Sequence, residues 1–143
     1  MAEIENNNNN IKNVSSKGKK IMIVDDEPDI TSMLKIVLED NGFEVDAFED
    51  AITALKYYKA SLYDLLILDI KMPEMDGFEL YDEIKKIDDK MKVCFLTASE
   101  MYYNKLRKDK YSSLDKDLFI QKPIENEELV NIVNIKFINK YHK

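Results

Sequence analysis

Polar side chains stand where apolar runs end: Asp25-Asp26 after "KIMIV", Asp69 after "LLIL", Thr97 after "KVCFL" and Lys122 after "LFIQ". A carboxylate at the end of a buried strand is costly unless a partner compensates it. Gathered on one rim, carboxylates about 4 Å apart repel pairwise by roughly 4 kcal/mol at an effective dielectric near 20. Lys122 sets a single positive charge against three negative ones. A divalent cation with oxygen ligands would complete the balance, and Mg²⁺ suits a site with few carboxylates and several waters. An aspartate of ordinary pKa, about 3.9, is ionised at neutral pH and needs no base to act as a nucleophile. Phosphoryl transfer asks mainly for in-line positioning and for positive charge on the transferred oxygens. Asp69, flanked by Mg²⁺, the Lys122 ammonium and the Thr97 hydroxyl, would then carry an aspartyl phosphate on the chain itself.

Such convergence needs strands that all end on one side. The run Lys20 to Val24 is apolar and β-branched and predicts a buried strand. Pro28 suits a first helical turn, Ile30, Leu34, Val37 and Leu38 recur at helical spacing, and Asn41-Gly42 supplies the stop. Phe43 to Phe48 predicts a more polar edge strand. Ala51, Ala54, Leu55 and Tyr58 mark a second helix. "DLLILD" is apolar on both faces, as a central parallel strand should be. Phe78, Tyr81, Ile84 and Leu80 give a third helix, and "KVCFLT" a fourth strand. A weak helical pattern spans Ser99 to Lys110, Leu118 to Gln121 forms a fifth strand, and Glu125 to Tyr141 a closing helix. Five strands alternating with five helices predict an α/β, doubly wound parallel sheet covered on both faces, whose chemistry collects at the strands' carboxyl ends.

Composition narrows the function. The 143 residues allow one domain, with 45% hydrophobic and 34% charged residues. Residues 1–18, with their Asn run, predict a disordered tail ahead of a domain spanning 19–143. The Asn13-Val14-Ser15 triplet matches a glycosylation sequon, a chance match without a secretory signal. No membrane-length apolar stretch or signal peptide is visible, and the single cysteine, Cys94, suits a reducing cytoplasm. A formal charge of −7 argues against a nucleic-acid partner.

The motifs "VDDEP", "LILDIKMPEMDG", "FLTAS" and "IQKPI", in this order on strands one, three, four and five, resemble the receiver domain of two-component response regulators. Single-domain, chemotaxis-type members are the nearest in form. The resemblance covers about Lys19 to the C-terminus and implies a flavodoxin-like (βα)5 sheet of strand order 2-1-3-4-5. It implies Asp69 as phosphoacceptor, Asp26 as a direct Mg²⁺ ligand, Asp25 as a ligand through water and the Lys71 carbonyl as a further ligand. Thr97 and Lys122 would contact the phosphoryl group, and the Lys122-Pro123 bond would be cis. Phe119, three residues before Lys122, matches the aromatic switch position, without the hydroxyl of the more usual Tyr. The implied partners are a sensor histidine kinase or phosphotransfer protein and a downstream target protein. The target would meet the face formed by the fourth helix, fifth strand and fifth helix. Two departures stand out: the segment from Thr97 to Lys122 is long and lacks a Gly-Ala pair before strand five.

Each signal alone has a plainer explanation. Asp25-Asp26 before Pro28 could simply start a helix, Lys122-Pro123 could be a loop, and Phe119 could be core packing. Their coincidence on one rim favours the site. A flavodoxin-like nucleotide or flavin binder would want a Gly-rich first turn where "VDDEPD" stands. A phosphatase with an aspartyl nucleophile would want an acid where Lys71 stands. The remaining alternative is a pseudo-receiver that binds protein without being phosphorylated. On the closing helix, Leu129, Ile132, Val133 and Phe137 should face the sheet. Val130, Ile135 and Ile138 fall partly outside that stripe, a surplus that would suit a target or a second copy in a homodimer.

Overall fold

Strand β1 (Lys20–Val24) lies between β2 (Glu44–Phe48) and β3 (Leu65–Asp69), with β3 at the centre of the sheet; β4 (Val93–Thr97) and β5 (Phe119–Gln121) follow. The computed structural model describes residues 18–98 and 119–138. All four pairings are parallel, and the strand order is 2-1-3-4-5. This is the flavodoxin-like α/β sheet that the sequence predicts. The helices between the strands are α1 (Pro28–Asp40), α2 (Ala51–Tyr57), α3 (Gly77–Ile87) and α4 (Asn126–Ile138). The helix expected between Ser99 and Lys110, the residue Leu118, the tail over 1–17 and the end of the closing helix lie outside the described residues.

The strand period of two explains how a sheet with no polar face is covered. Met22, Val24, Leu66, Leu68, Val93 and Phe95 point to one side, where Ala51, Ala54, Phe78, Leu80 and Ile84 of α2 and α3 meet them. Ile21, Ile23, Leu65, Ile67, Cys94 and Leu96 point to the other, under Leu34, Leu38, Leu129, Val133 and Phe137 of α1 and α4. β2 is one of the two edge strands, with only Val45 buried. The stripe on α4 holds at Leu129, Val133 and Phe137, while Ile132 is half-buried and Ile135 is 52% exposed. Two helix positions depart from the sequence expectation. Tyr58 is buried, but it leaves α2 in extended backbone and its hydroxyl donates to Asp88 at 3.2 Å. On α3, Leu80 is buried as expected, whereas Tyr81 takes only half a core place, its ring standing edge-on to Phe95.

Candidate functional site

Register alone sets two acids side by side. β1 and β3 pair Ile23 with Ile67 and Val24 with Leu68. One further step places Asp25 next to Asp69, both on the α1–α4 side of the sheet by alternation. The chain then turns: Asp25 Oδ1 accepts the Glu27 N–H at 2.9 Å, and Pro28 opens α1. Asp25 therefore does begin the path into the helix, but its other oxygen is turned elsewhere.

Behind Asp69 the fit is tight. A Cβ on Gly77 would overlap the Asp69 carbonyl oxygen and lie 3.1 Å from Ile70 Cα. The Gly77 N–H donates to the Ile70 carbonyl at 2.8 Å. Asp-Gly in "MDG" is thus no loose turn. Asp76 caps α3 through Glu79, with both bonds of a capping box (2.8 and 2.9 Å), and Gly77 lets that first turn pack on the backbone of Asp69.

Carboxylate oxygens of Asp25, Asp26 and Asp69 lie within 4.8 Å of one another. Asp25 and Asp69 are buried and Asp26 is exposed. Lys122 reaches in from the end of β5, held by its N–H to the Thr97 carbonyl at 2.8 Å and followed by a cis bond to Pro123. Its Nζ stands 2.7 Å from Asp25 Oδ2, 2.9 Å from Glu27 Oε1 and 3.5 Å from Asp69 Oδ1. Thr97 is buried at the end of β4, one residue beyond the partner of Asp69. Lys71 is exposed in the loop two residues past Asp69. Phe119 sits apart from the acids, its ring stacked on Phe95 at 5.5 Å and edge-on to Phe78 at 6.1 Å. Glu27 was not singled out in the sequence, where it reads as one more acid at a helix start, and neither was the packing role of Gly77.

The electrostatics show a site short of positive charge. Burial raises the pKa of Asp25, and the Lys122 ammonium and the Glu27 N–H offset it only in part. Asp25 Oδ2 is an ion-pair partner of Lys122, yet it has no aligned hydrogen bond. Burial and then the charge of Asp25 push Asp69 up to about 7, against the opposing pull of Lys122. This corrects the ordinary value expected from sequence. Around Lys122, burial works against the ammonium, but its contacts with Asp25 and Glu27 and the charge of Asp69 outweigh it and raise its pKa. Three close hard-oxygen donors, two of them buried and one with an unaligned oxygen, fit a divalent cation such as Mg²⁺.

The response regulator receiver domain model matches residues 21–134. The chain belongs to that family. Chemotaxis protein CheY of Bacillus subtilis is 37% identical over 116 residues, covering 80% of this chain and 94% of that protein. Transcriptional regulatory protein DltR of Streptococcus agalactiae is 31% identical, covering 82% of this chain and 51% of the relative. The chain thus spans about half the length of the first curated relatives it matches. Among solved structures, response regulator protein TrrA of Thermotoga maritima, in complex with Mg²⁺ and BeF, is 37% identical with a TM-score of 0.68, covering 83% of this chain and 98% of that one. A receiver domain protein from Clostridium thermocellum is 28% identical with a TM-score of 0.69, covering 87% and 97%. Receiver domains are signalling phosphoacceptors of two-component systems rather than conventional enzymes, and they bind Mg²⁺ through an acidic pocket; the cluster of Asp25, Asp26 and Asp69 fits that pocket. No helix among the described residues is long and apolar enough to cross a membrane.

Proposed function

We propose that residues 19–143 form a cytoplasmic receiver that accepts a phosphoryl group on Asp69 from a phosphohistidine on a sensor kinase or phosphotransfer protein. The observation that carries this reading is the meeting of Asp25, Asp26 and Asp69 within 4.8 Å, with the Lys122 ammonium among them. Asp26, Asp69 and the Lys71 carbonyl would hold Mg²⁺ directly and Asp25 through water; the bound cation supplies positive charge to the transferred oxygens. An Asp69 oxygen uses a lone pair to form the new O–P bond as the donor's P–N bond breaks, and the leaving imidazole keeps that electron pair. Lys122 neutralises one phosphoryl oxygen and the Thr97 hydroxyl donates to another.

Drawing Thr97 toward the phosphoryl group would let Phe119 change its packing against Phe95 and Phe78. The phosphate can only bias an equilibrium that already exists, through its different contacts in the two states. The output would be read on β5, α4 and the segment before β5, where exposed Ile135 supports contact with a target protein or a second copy.

Acetyl phosphate tests the reading, since its P–O bond breaks and acetate leaves with the pair. With Mg²⁺, the wild-type chain gains an acid-stable, alkali-labile phosphoryl group, and Asp69→Asn gains none. No modification in the wild type would favour the pseudo-receiver, and one that persists in Asp69→Asn would put the acceptor on another residue.

A further inference from the structure

Glu27 is the N-cap of α1, yet its side chain makes no cap. The shorter Asp carboxylate at this place usually accepts from the helix's own first N–H groups. Here it turns outward, and its Oε1 accepts from the Lys122 ammonium, 95 residues away, at 2.9 Å. The backbone of Glu27 is fixed independently of that choice. Its N–H is held by Asp25, and its carbonyl accepts from Ile30 and Thr31 at 3.0 and 3.2 Å. The side chain is 61% exposed, whereas that of Lys122 is 9% exposed.

We infer that Glu27 is a positioning residue that holds Lys122 back from Asp69 in the resting protein and sets how readily the site is phosphorylated. The inference rests on the phosphoacceptor reading of Asp69. The ammonium stands closer to Asp25 and Glu27, at 2.7 and 2.9 Å, than to Asp69 at 3.5 Å. To neutralise a phosphoryl oxygen on Asp69 it must move toward Asp69 and give up some of this shared coordination. Asp25 is buried beside Asp69, so the ammonium can approach Asp69 without leaving it; Glu27 is on the rim, and its contact is the one lost. The loss is charged against the resting state alone. It therefore slows entry into the phosphorylated form. Hydrolysis is untouched, because Lys122 has already left Glu27 in both the aspartyl phosphate and the transition state for its attack by water.

Three chains test this: wild type, Glu27→Gln and Glu27→Asp. Gln keeps the length and removes the charge. Asp keeps the charge but is one carbon shorter, and it suits the vacant N-cap of α1, so it withdraws from Lys122 while strengthening the helix. Both variants are expected to raise the rate of phosphorylation by acetyl phosphate, and the affinity for BeF₃⁻ with Mg²⁺, by about two- to fivefold, the range of one partly exposed ion pair. Both leave the hydrolysis rate of the aspartyl phosphate at the wild-type value and shift the side-chain ¹⁵N signal of Lys122 in the resting protein. Glu27→Asp does so with a melting temperature equal to or above the wild type. Wild-type-like phosphorylation in Glu27→Gln, a parallel change in hydrolysis, or wild-type behaviour in Glu27→Asp each overturn the inference while leaving Asp69 as phosphoacceptor. A wild-type chain that takes neither probe overturns that reading, and this one with it.

Discussion

At the amino end of the sheet, Asp46 accepts the Tyr63 hydroxyl at 2.6 Å and pairs with Lys20 at 3.5 Å, while Asp64 accepts the Lys20 N–H at 2.9 Å. At the carboxyl end, Asp25, Asp26 and Asp69 crowd around Lys122, which Glu27 also claims. Both ends gather acids against a strand terminus. The first matches each carboxylate to a donor supplied by its own neighbours, and its acids remain partly in water. The second buries two carboxylates, leaves Asp25 Oδ2 without an aligned hydrogen bond and pushes Asp69 up to about 7. A fold selected for stability alone would close this charge balance with protein groups. An open balance, next to a hydroxyl and an ammonium, marks the place where something is to be added.

The comparison breaks or holds most visibly at Lys122. Lys122→Met keeps the side chain's bulk and removes the only protein cation within 4 Å of Asp25 and Asp69 among the described residues. Unpairing a buried carboxylate costs about 3–5 kcal/mol, read as a lower urea midpoint in chelator at pH 7.5. Added Mg²⁺ is expected to return part of that loss. Should Mg²⁺ return none, the carboxyl end would be a closed ion pair like its counterpart, and the contrast would fail.

Asp69 gives a smaller effect of opposite sign. Its folded pKa, about 7, lies above that of an unfolded aspartate, so the native chain holds a proton that the unfolded chain releases. Stability from this group is therefore present below about pH 4 and declines as pH rises toward 7. Asp69→Asn carries no such charge. Without metal it should gain roughly 1–3 kcal/mol over the wild type at pH 8, the cost of an uncompensated buried polar group, and little at pH 4. Urea melts across that range in chelator check the slope, and a difference independent of pH would mean that Asp69 is not strained by its neighbours.

Much of this end was legible in the sequence because parallel strands must finish on one side. Apolar runs locate Asp25, Asp69, Thr97 and Lys122 at strand ends, whereas the shared face of Asp25 and Asp69 follows only from the register of β1 on β3. Other features depend on depth and reach, which a linear pattern does not carry. The raised pKa of Asp69 follows from how far it is buried and how near Asp25 comes. Glu27 reads as a helix-start acid until its partner is known to be Lys122. Gly77 reads as half of an Asp-Gly turn until the Asp69 carbonyl is seen where its Cβ would be. Tyr58 has helical spacing, but the chain leaves α2 one residue earlier and its burial is tertiary.

The smallest effect belongs to the amino end, and it tests the contrast from the other side. Tyr63→Phe removes one hydroxyl and leaves the ring stacked on Tyr58 at 5.7 Å. Asp46, 40% exposed, can turn its freed oxygen to water. The cost should be one ordinary hydrogen bond, about 0.5–1.5 kcal/mol. Burial, then Asp46, hold the phenolic proton well above its usual range. Tyr63 thus stays neutral through the pH range in which Asp69 titrates, and the loss should be the same at pH 5 and pH 8. It should also be the same in chelator and in Mg²⁺, because the acids at this end are already matched by Tyr63 and Lys20. A Tyr63→Phe deficit that Mg²⁺ reduced would show a second cation-hungry cluster, and charge imbalance would no longer distinguish the working end of this sheet from the supporting one.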